Sequence, residues 1–115
     1  MDTEKTIFQK IIDREIPSDI LFEDDLCVII RDINPVAPTH VLIIPKKRIN
    51  RIEVATESDQ LLLGHLLLTA GKFAREHHLE NGFRLVINNG KDALESVPHL
   101  HIHLIAGKPM QWPPC

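Results

Sequence analysis

Cysteine is scarce in this sequence: Cys27 sits inside an apolar run, and Cys115 is the last of 115 residues. Two thiols placed this way give neither a disulfide framework nor a paired metal knuckle, so an intracellular chain is expected. Long apolar runs are also missing, and none approaches the roughly 20 residues a membrane-spanning helix needs. The opening MDTEKTIF carries acidic residues where a secretory leader needs a basic patch. A cytoplasmic protein with no membrane partner is therefore expected. Concentrated positive charge is absent as well. With a formal net charge of -3 and no basic block larger than Lys46-Lys47-Arg48, binding to extended nucleic acid is not expected, and a small ligand is the better expectation.

What is present is the composition of an ordinary globule, 43% hydrophobic and 25% charged, which predicts a single domain over residues 1–115 with 107–115 as an irregular tail. Ile7, Phe8, Ile11 and Ile12 recur at helical spacing between Glu4 and Arg14, and Pro17 ends that stretch. Ile20-Leu21-Phe22 and Leu26 to Ile30 flank a turn at Glu23-Asp24-Asp25 and predict an antiparallel hairpin. The proline-rich loop from Asp32 to Pro38 delivers His40 to a third strand, Val41 to Ile44, closed by Pro45. A long helix is expected from Thr56 or Ser58, either a plausible N-cap, to His78, with Asn81-Gly82 as its stop.

The stripe of that helix is Leu62, Leu66, Ala70 and Phe73, widened by Leu63, Leu67 and Ala74. Gly64 and Gly71 fall on nearly one face and each costs about 1 kcal/mol against alanine. Close approach of another backbone, from a second subunit or elsewhere, and simple tolerance are both open readings. Phe83 to Asn88 and His99 to Ala106 read as strands four and five, with turn chemistry at Asn89-Gly90-Lys91-Asp92. The class expected is α+β, with a five-stranded antiparallel sheet, one short N-terminal helix and one long helix.

Within VPHLHIHLIAG, His99, His101 and His103 take every second position. In an extended strand they share one face, while Leu100, Ile102 and Leu104 bury on the other, so the histidine face should be presented. A solvated polar face, a metal site and a catalytic row compete. Cα atoms at positions 99 and 103 would lie roughly 13 to 14 Å apart, so one ion cannot easily hold both. At most two neighbours could chelate, with His40 as a candidate third ligand. Imidazole near pH 7 can attack and can move a proton, which favours the catalytic row.

The pattern His-φ-His-φ-His-φ-φ from His99 to Ile105, with φ an apolar residue, resembles the histidine triad family. TIFQKIIDREIPSDILFEDD, DINPVAPTHVLIIPKKRI and the ending QWPPC are similar to its nucleotide-binding (Hint) branch, over nearly the whole chain. The resemblance implies a homodimer of α+β subunits that binds purine nucleoside monophosphates and hydrolyses nucleoside phosphoramidates, with no cofactor. It implies His101 as the nucleophile that carries a nucleotidyl group, His103 beside the leaving group, and His99 and His40 in support. Ser96 and Asn88 match phosphate-side residues, and Asp32 matches the acceptor for the ribose hydroxyls. Ile7, Phe8, Ile11, Ile16, Ile30 and Ile33 match the slot for the base, and Trp112 matches a tryptophan that reaches toward the partner subunit's site. Other branches imply a diadenosine polyphosphate hydrolase or nucleotidyl transferase as the alternative, and a nucleotide-binding scaffold with weak catalysis is a third reading. His65, His77 and His78 match no functional position; the last two are expected to interact with a helix dipole.

Three departures from the branch matter. Leu94-Glu95 replaces the usual Gly-Gln before Ser96, and a carboxylate facing the phosphate would repel it whereas one turned outward would change little. Pro98 removes a backbone donor where an aromatic is common, which argues for an edge or a bulge. Thr6 and Gln9 stand where zinc-bearing relatives carry Cys-x-x-Cys, so no metal is expected.

Overall fold

The computed structural model describes residues 4–114; Cys115 lies outside them. Helix α1 (Ile7–Ile12) is shorter than the periodicity predicts, because the Thr6 side chain accepts the Gln9 N–H and so fixes where the helix starts. Strands β1 (Ile20–Glu23) and β2 (Cys27–Arg31) form the expected hairpin. Its turn is held by Asp24, whose Oδ1 accepts the N–H groups of Leu26 and Cys27, both at 2.8 Å. Strand β3 (Thr39–Pro45) is longer than expected and contains His40 itself.

The long helix begins through a 3-10 turn at Glu57–Asp59, entered at Thr56, whose N–H is accepted by the Asp59 carboxylate. Helix α2 then runs from Gln60 to Glu76. His77 caps it with its ring stacked on Phe73, 3.9 Å between centroids, and His78 turns into the left-handed region at φ 56°. Leu66, Ala70, Phe73 and Ala74 bury as the stripe predicts, but Leu67 faces outward and Thr69 takes a buried place instead. A Cβ on Gly64 would meet nothing within 4 Å, and one on Gly71 only the Arg75 side chain. No backbone within the described chain therefore approaches either glycine.

Strands β4 (Phe83–Val86) and β5 (Ile102–Ala106) complete one antiparallel sheet of order β1-β2-β3-β5-β4. Both are shorter than predicted at the end near the histidines. After Pro98 the chain bends tightly, with the His99 N–H on the Val97 carbonyl, and the Leu100 N–H goes to Ile49 instead of to a strand. Because β5 slots between β3 and β4, His103 lies opposite Leu42 and His40 opposite Ile105, which brings two distant stretches of sequence side by side.

Strand alternation sorts the core into two clusters. Cys27, Ile29, Val41, Ile43, Leu100, Ile102 and Leu104 pack with Leu66, Ala70 and Phe73 of α2. Val28, Ile30, Leu42 and Ile44 pack with Phe8 and Ile11 of α1 on the opposite face. The sheet is thus covered by a helix on each side. Gly107 ends β5 at φ 99° with Pro38 close by: a Cβ there would lie 2.9 Å from the proline ring, so both the conformation and the contact require glycine. No helix among the described residues is long and apolar enough to cross a membrane.

Candidate active site

The alternation argument holds for which face the histidines share, but that face is not presented to solvent. Helix α1 lies over it: the Phe8 ring meets His101 edge-on at 4.8 Å and His99 at 6.0 Å between centroids. His99 is fully buried, His101 and His40 are buried, and only His103 keeps appreciable exposure.

Backbone groups orient His99, His101 and His40 and assign their tautomers, and His40 in turn sets that of His103. His99 Nε2 lies 2.8 Å from the Pro45 carbonyl, which can only accept, so Nε2 carries the proton and Nδ1 accepts from the Thr6 hydroxyl at 3.2 Å. His101 Nδ1 lies 2.8 Å from the His99 carbonyl and must donate to it, leaving a lone pair on Nε2. His40 Nδ1 accepts the Val36 N–H at 3.1 Å, so its proton sits on Nε2, 2.9 Å from His103 Nδ1 and 3.3 Å from Asp32 Oδ2. His103 then accepts at Nδ1 and carries its proton on Nε2.

For His99, His101 and His103 the electrostatics agree with neutral rings. Burial lowers the pKa of His101, offset in part by its bond to the His99 carbonyl and by the charges of Asp32 and Glu95. Burial also lowers that of His99, and it brings His103 down to about 4, helped by the neighbouring His101 and His40. Asp32 Oδ2 lies 3.3 Å from His40 Nε2 and 3.9 Å from His103 Nδ1, so it can take over the His40 N–H and its charge favours a proton on His103 when an anion arrives.

His101 and His103 open onto a groove of about 580 Å³ between α1 and the sheet, within the usual range for a small-ligand site. Asp32, Ser96, Ile7, Phe8, Ile11, Ile16, Ile30 and Ile33, all matched by the resemblance, line this one groove. Asn88 and Trp112 do not: Asn88 is half-buried two residues beyond β4, and Trp112 is 81% exposed on the tail. Sequence reasoning missed Leu42, Arg31 and the segment Pro17-Ser18-Asp19, which also line the groove, with Arg31 Nε 2.7 Å from the Asp19 carboxylate at its rim. It also missed Thr6, which ties α1 to His99. The alternation of β2 and β3 carries a signal for Leu42, since Ile30 and Leu42 face each other across the ladder.

Glu95 turns away from the groove. Its Oε1 accepts Arg51 Nε at 2.9 Å and the Gly90 N–H at 3.0 Å, closing the loop that leads to Ser96. Glu95→Gln is therefore expected to leave kcat/KM within about threefold while costing about 1 kcal/mol of stability, read by urea denaturation. Leu94 stands in the left-handed region at φ 60° and is 82% exposed, so it loses conformational energy and buries almost nothing. Leu94→Gly should raise stability by about 1 kcal/mol, and an unchanged or lowered melting temperature would contradict that strain.

A family model described as the HIT domain matches residues 13–110. The chain belongs to the HIT family. A HIT-like protein from Synechocystis is 53% identical over 111 residues, covering 96% of this chain and 97% of that protein. The 14 kDa zinc-binding protein of Zea mays is 47% identical over 116 residues, covering 99% and 91%. Among solved structures, a HIT family hydrolase from Legionella pneumophila matches with a TM-score of 0.94 at 44% identity, covering 96% of this chain and 100% of that one. A HIT family hydrolase from Clostridium thermocellum matches at 0.90 and 43%, covering 96% of each. The HIT hydrolase fold, with its five-stranded antiparallel sheet and long helix, thus carries the histidine row found in this chain.

Proposed function

We propose that this HIT protein is a purine nucleoside phosphoramidase. The observation that carries the reading is the orientation of His101: its Nδ1–H is held by the His99 carbonyl, so its Nε2 lone pair is the free nitrogen of a ring lining the groove. A neutral imidazole with a fixed tautomer is a competent nucleophile toward phosphorus. The base would lie in the apolar slot made by Phe8, Ile11, Ile30 and Leu42, the ribose hydroxyls would bond to Asp32, and Ser96 would donate to a phosphate oxygen.

Atoms balance through His103. An incoming phosphate anion favours the imidazolium form of His103, the His40 Nε2–H turning from His103 Nδ1 to the Asp32 carboxylate as that nitrogen is protonated, so substrate arrives with a proton taken up. His101 Nε2 forms a bond to phosphorus, the P–N bond breaks, and the leaving nitrogen takes the His103 proton and departs as an amine. Water then attacks phosphorus, gives a proton to His103, and frees His101 from the nucleoside monophosphate.

A homodimer is part of the proposal. Leu61 and Leu68, 87% and 75% exposed, lie with Gly64 and Gly71 at spacings of three and four along α2, a bare apolar face suited to a second copy. The exposed Trp112 would then reach the neighbouring groove.

The test is a substrate panel. Adenosine and guanosine 5'-phosphoramidates should release amine and monophosphate much faster than diadenosine polyphosphates are cleaved. Faster cleavage of the polyphosphate would favour the phosphoanhydride hydrolase or transferase reading. Tight binding of AMP with negligible turnover of either substrate would favour a nucleotide-binding scaffold.

A further inference from the structure

We propose that Asp24, Cys27 and His65 form a second site, on the sheet face opposite the groove, that binds one divalent cation of the zinc type. Their ligand atoms, a carboxylate oxygen, the thiol sulfur and an imidazole nitrogen, all lie within 4.8 Å of one another. The three come from separate elements: the β1–β2 turn, the first residue of β2, and the first half of α2.

The arrangement is fixed before any ion arrives. Asp24 Oδ1 is occupied by the N–H groups of Leu26 and Cys27, which orients the carboxylate and leaves Oδ2 for His65 Nε2 at 2.7 Å. The carbonyl of His65 accepts the Thr69 hydroxyl at 2.7 Å, and Thr69 Oγ1 lies 3.9 Å from Cys27 Sγ. The cluster is thus supported on the side that faces the core.

Charge and donor type point to the kind of ligand. Nearby cations are committed to other acids: Lys46 and Arg14 to Glu23, and Lys47 to Asp59. Asp24 has only His65 as an ionisable partner among the described ion pairs. A thiolate and a carboxylate supply two negative charges and neutral imidazole none, so a dication brings the cluster to zero, which a half-buried site favours. Mixed sulfur, nitrogen and oxygen donors suit borderline-soft ions, whereas magnesium and calcium seek oxygen alone.

Access and geometry also fit. Cys27 is fully buried and offers its sulfur from the core side, while the Asp24 and His65 side chains, 29% and 33% exposed, form the outer side of the site and leave a position for water as a fourth ligand. With metal bonds of about 2.0 Å to nitrogen and oxygen and about 2.3 Å to sulfur, tetrahedral donors lie roughly 3.3 to 3.6 Å apart. The imidazole and carboxylate would separate by roughly half an ångström as the ion takes the place of their shared proton. The ion must also displace the Cys27 thiol proton, since sulfur ligates as thiolate.

The experiment is a cobalt(II) titration of the full-length chain with Cys115→Ser as background, so that sulfur ligation reports on Cys27 alone. A near-ultraviolet thiolate-to-cobalt charge-transfer band is expected, saturating at one cobalt per chain and bleached by zinc. Cys27→Ser should abolish the band, His65→Ala should weaken cobalt binding by roughly tenfold or more, and His103→Ala should leave the band intact. No band up to millimolar cobalt, a band that survives Cys27→Ser, or a band lost with His103→Ala but not with His65→Ala would overturn the proposal. If Cys27→Ser does not fold, His65→Ala at its partly exposed position carries the test.

Discussion

Replacing His101 by alanine should reduce release of amine from a nucleoside phosphoramidate by about four orders of magnitude, as loss of a covalent nucleophile does when the rest of a site is left in place. The magnitude follows from the division of labour among the rings. His101 alone combines an unprotonated Nε2 with a position on the groove: His103 carries its proton on Nε2, His99 spends both nitrogens on Thr6 and Pro45, and His40 spends both on Val36 and the His103–Asp32 pair. No neighbour can take over the attack. Affinity for AMP should change only a few-fold, since the apolar slot and Asp32 are untouched. Acid-quenched wild-type reactions should show the chain heavier by one nucleotidyl group and the alanine variant should not. Turnover of the variant within tenfold of wild type, with circular dichroism unchanged, would remove His101 from the nucleophile's role.

The sequence made legible those features that depend on short-range alternation. The shared face of the three histidines, the hairpin around Asp24 and the five strands could all be read from side-chain period and turn residues. What covers a face could not, because period gives the direction of a side chain and not its neighbour: the row expected to be presented lies beneath Phe8. The tautomers were equally hidden. They depend on Pro45, 54 positions from His99, and on a Val36 N–H that meets His40 only through the bend of the proline-rich loop. Glu95 shows the same limit, for its charge was evident but its partner Arg51 lies 44 positions away. The sequence marked Pro98 as a disturbance, yet the bend it introduces moves the start of β5 from His99 to Ile102. Asn88 and Trp112, carried over by resemblance, stand apart from the groove of a single chain.

Stability should fall as pH drops from 6.5 toward 4, earlier than carboxylate titration alone would cause. In the unfolded chain each histidine takes a proton near pH 6.5, whereas in the folded chain burial holds His99, His101 and His103 below that value. Between the two values the unfolded state binds more protons, so acid drives unfolding. His103, held at about 4, accounts for roughly 3 kcal/mol across this interval, fully lost once pH passes below its folded value, and the other two rings act in the same direction. The carboxylates of Glu23 and Asp59, lowered first by bonds to Lys46 and Lys47, add their losses only at lower pH. Urea denaturation at pH 7.5 and pH 5 measures the effect, and His103→Asn should flatten the dependence. AMP should counter it: a phosphate anion beside these rings favours their protonated forms, so AMP should bind more tightly at pH 6 than at pH 7.5 and should stabilise the chain more there. Equal stability at pH 7.5 and pH 5 in the absence of nucleotide would show that the histidines are not held neutral by burial, and the lone pair assigned to His101 would lose its electrostatic support.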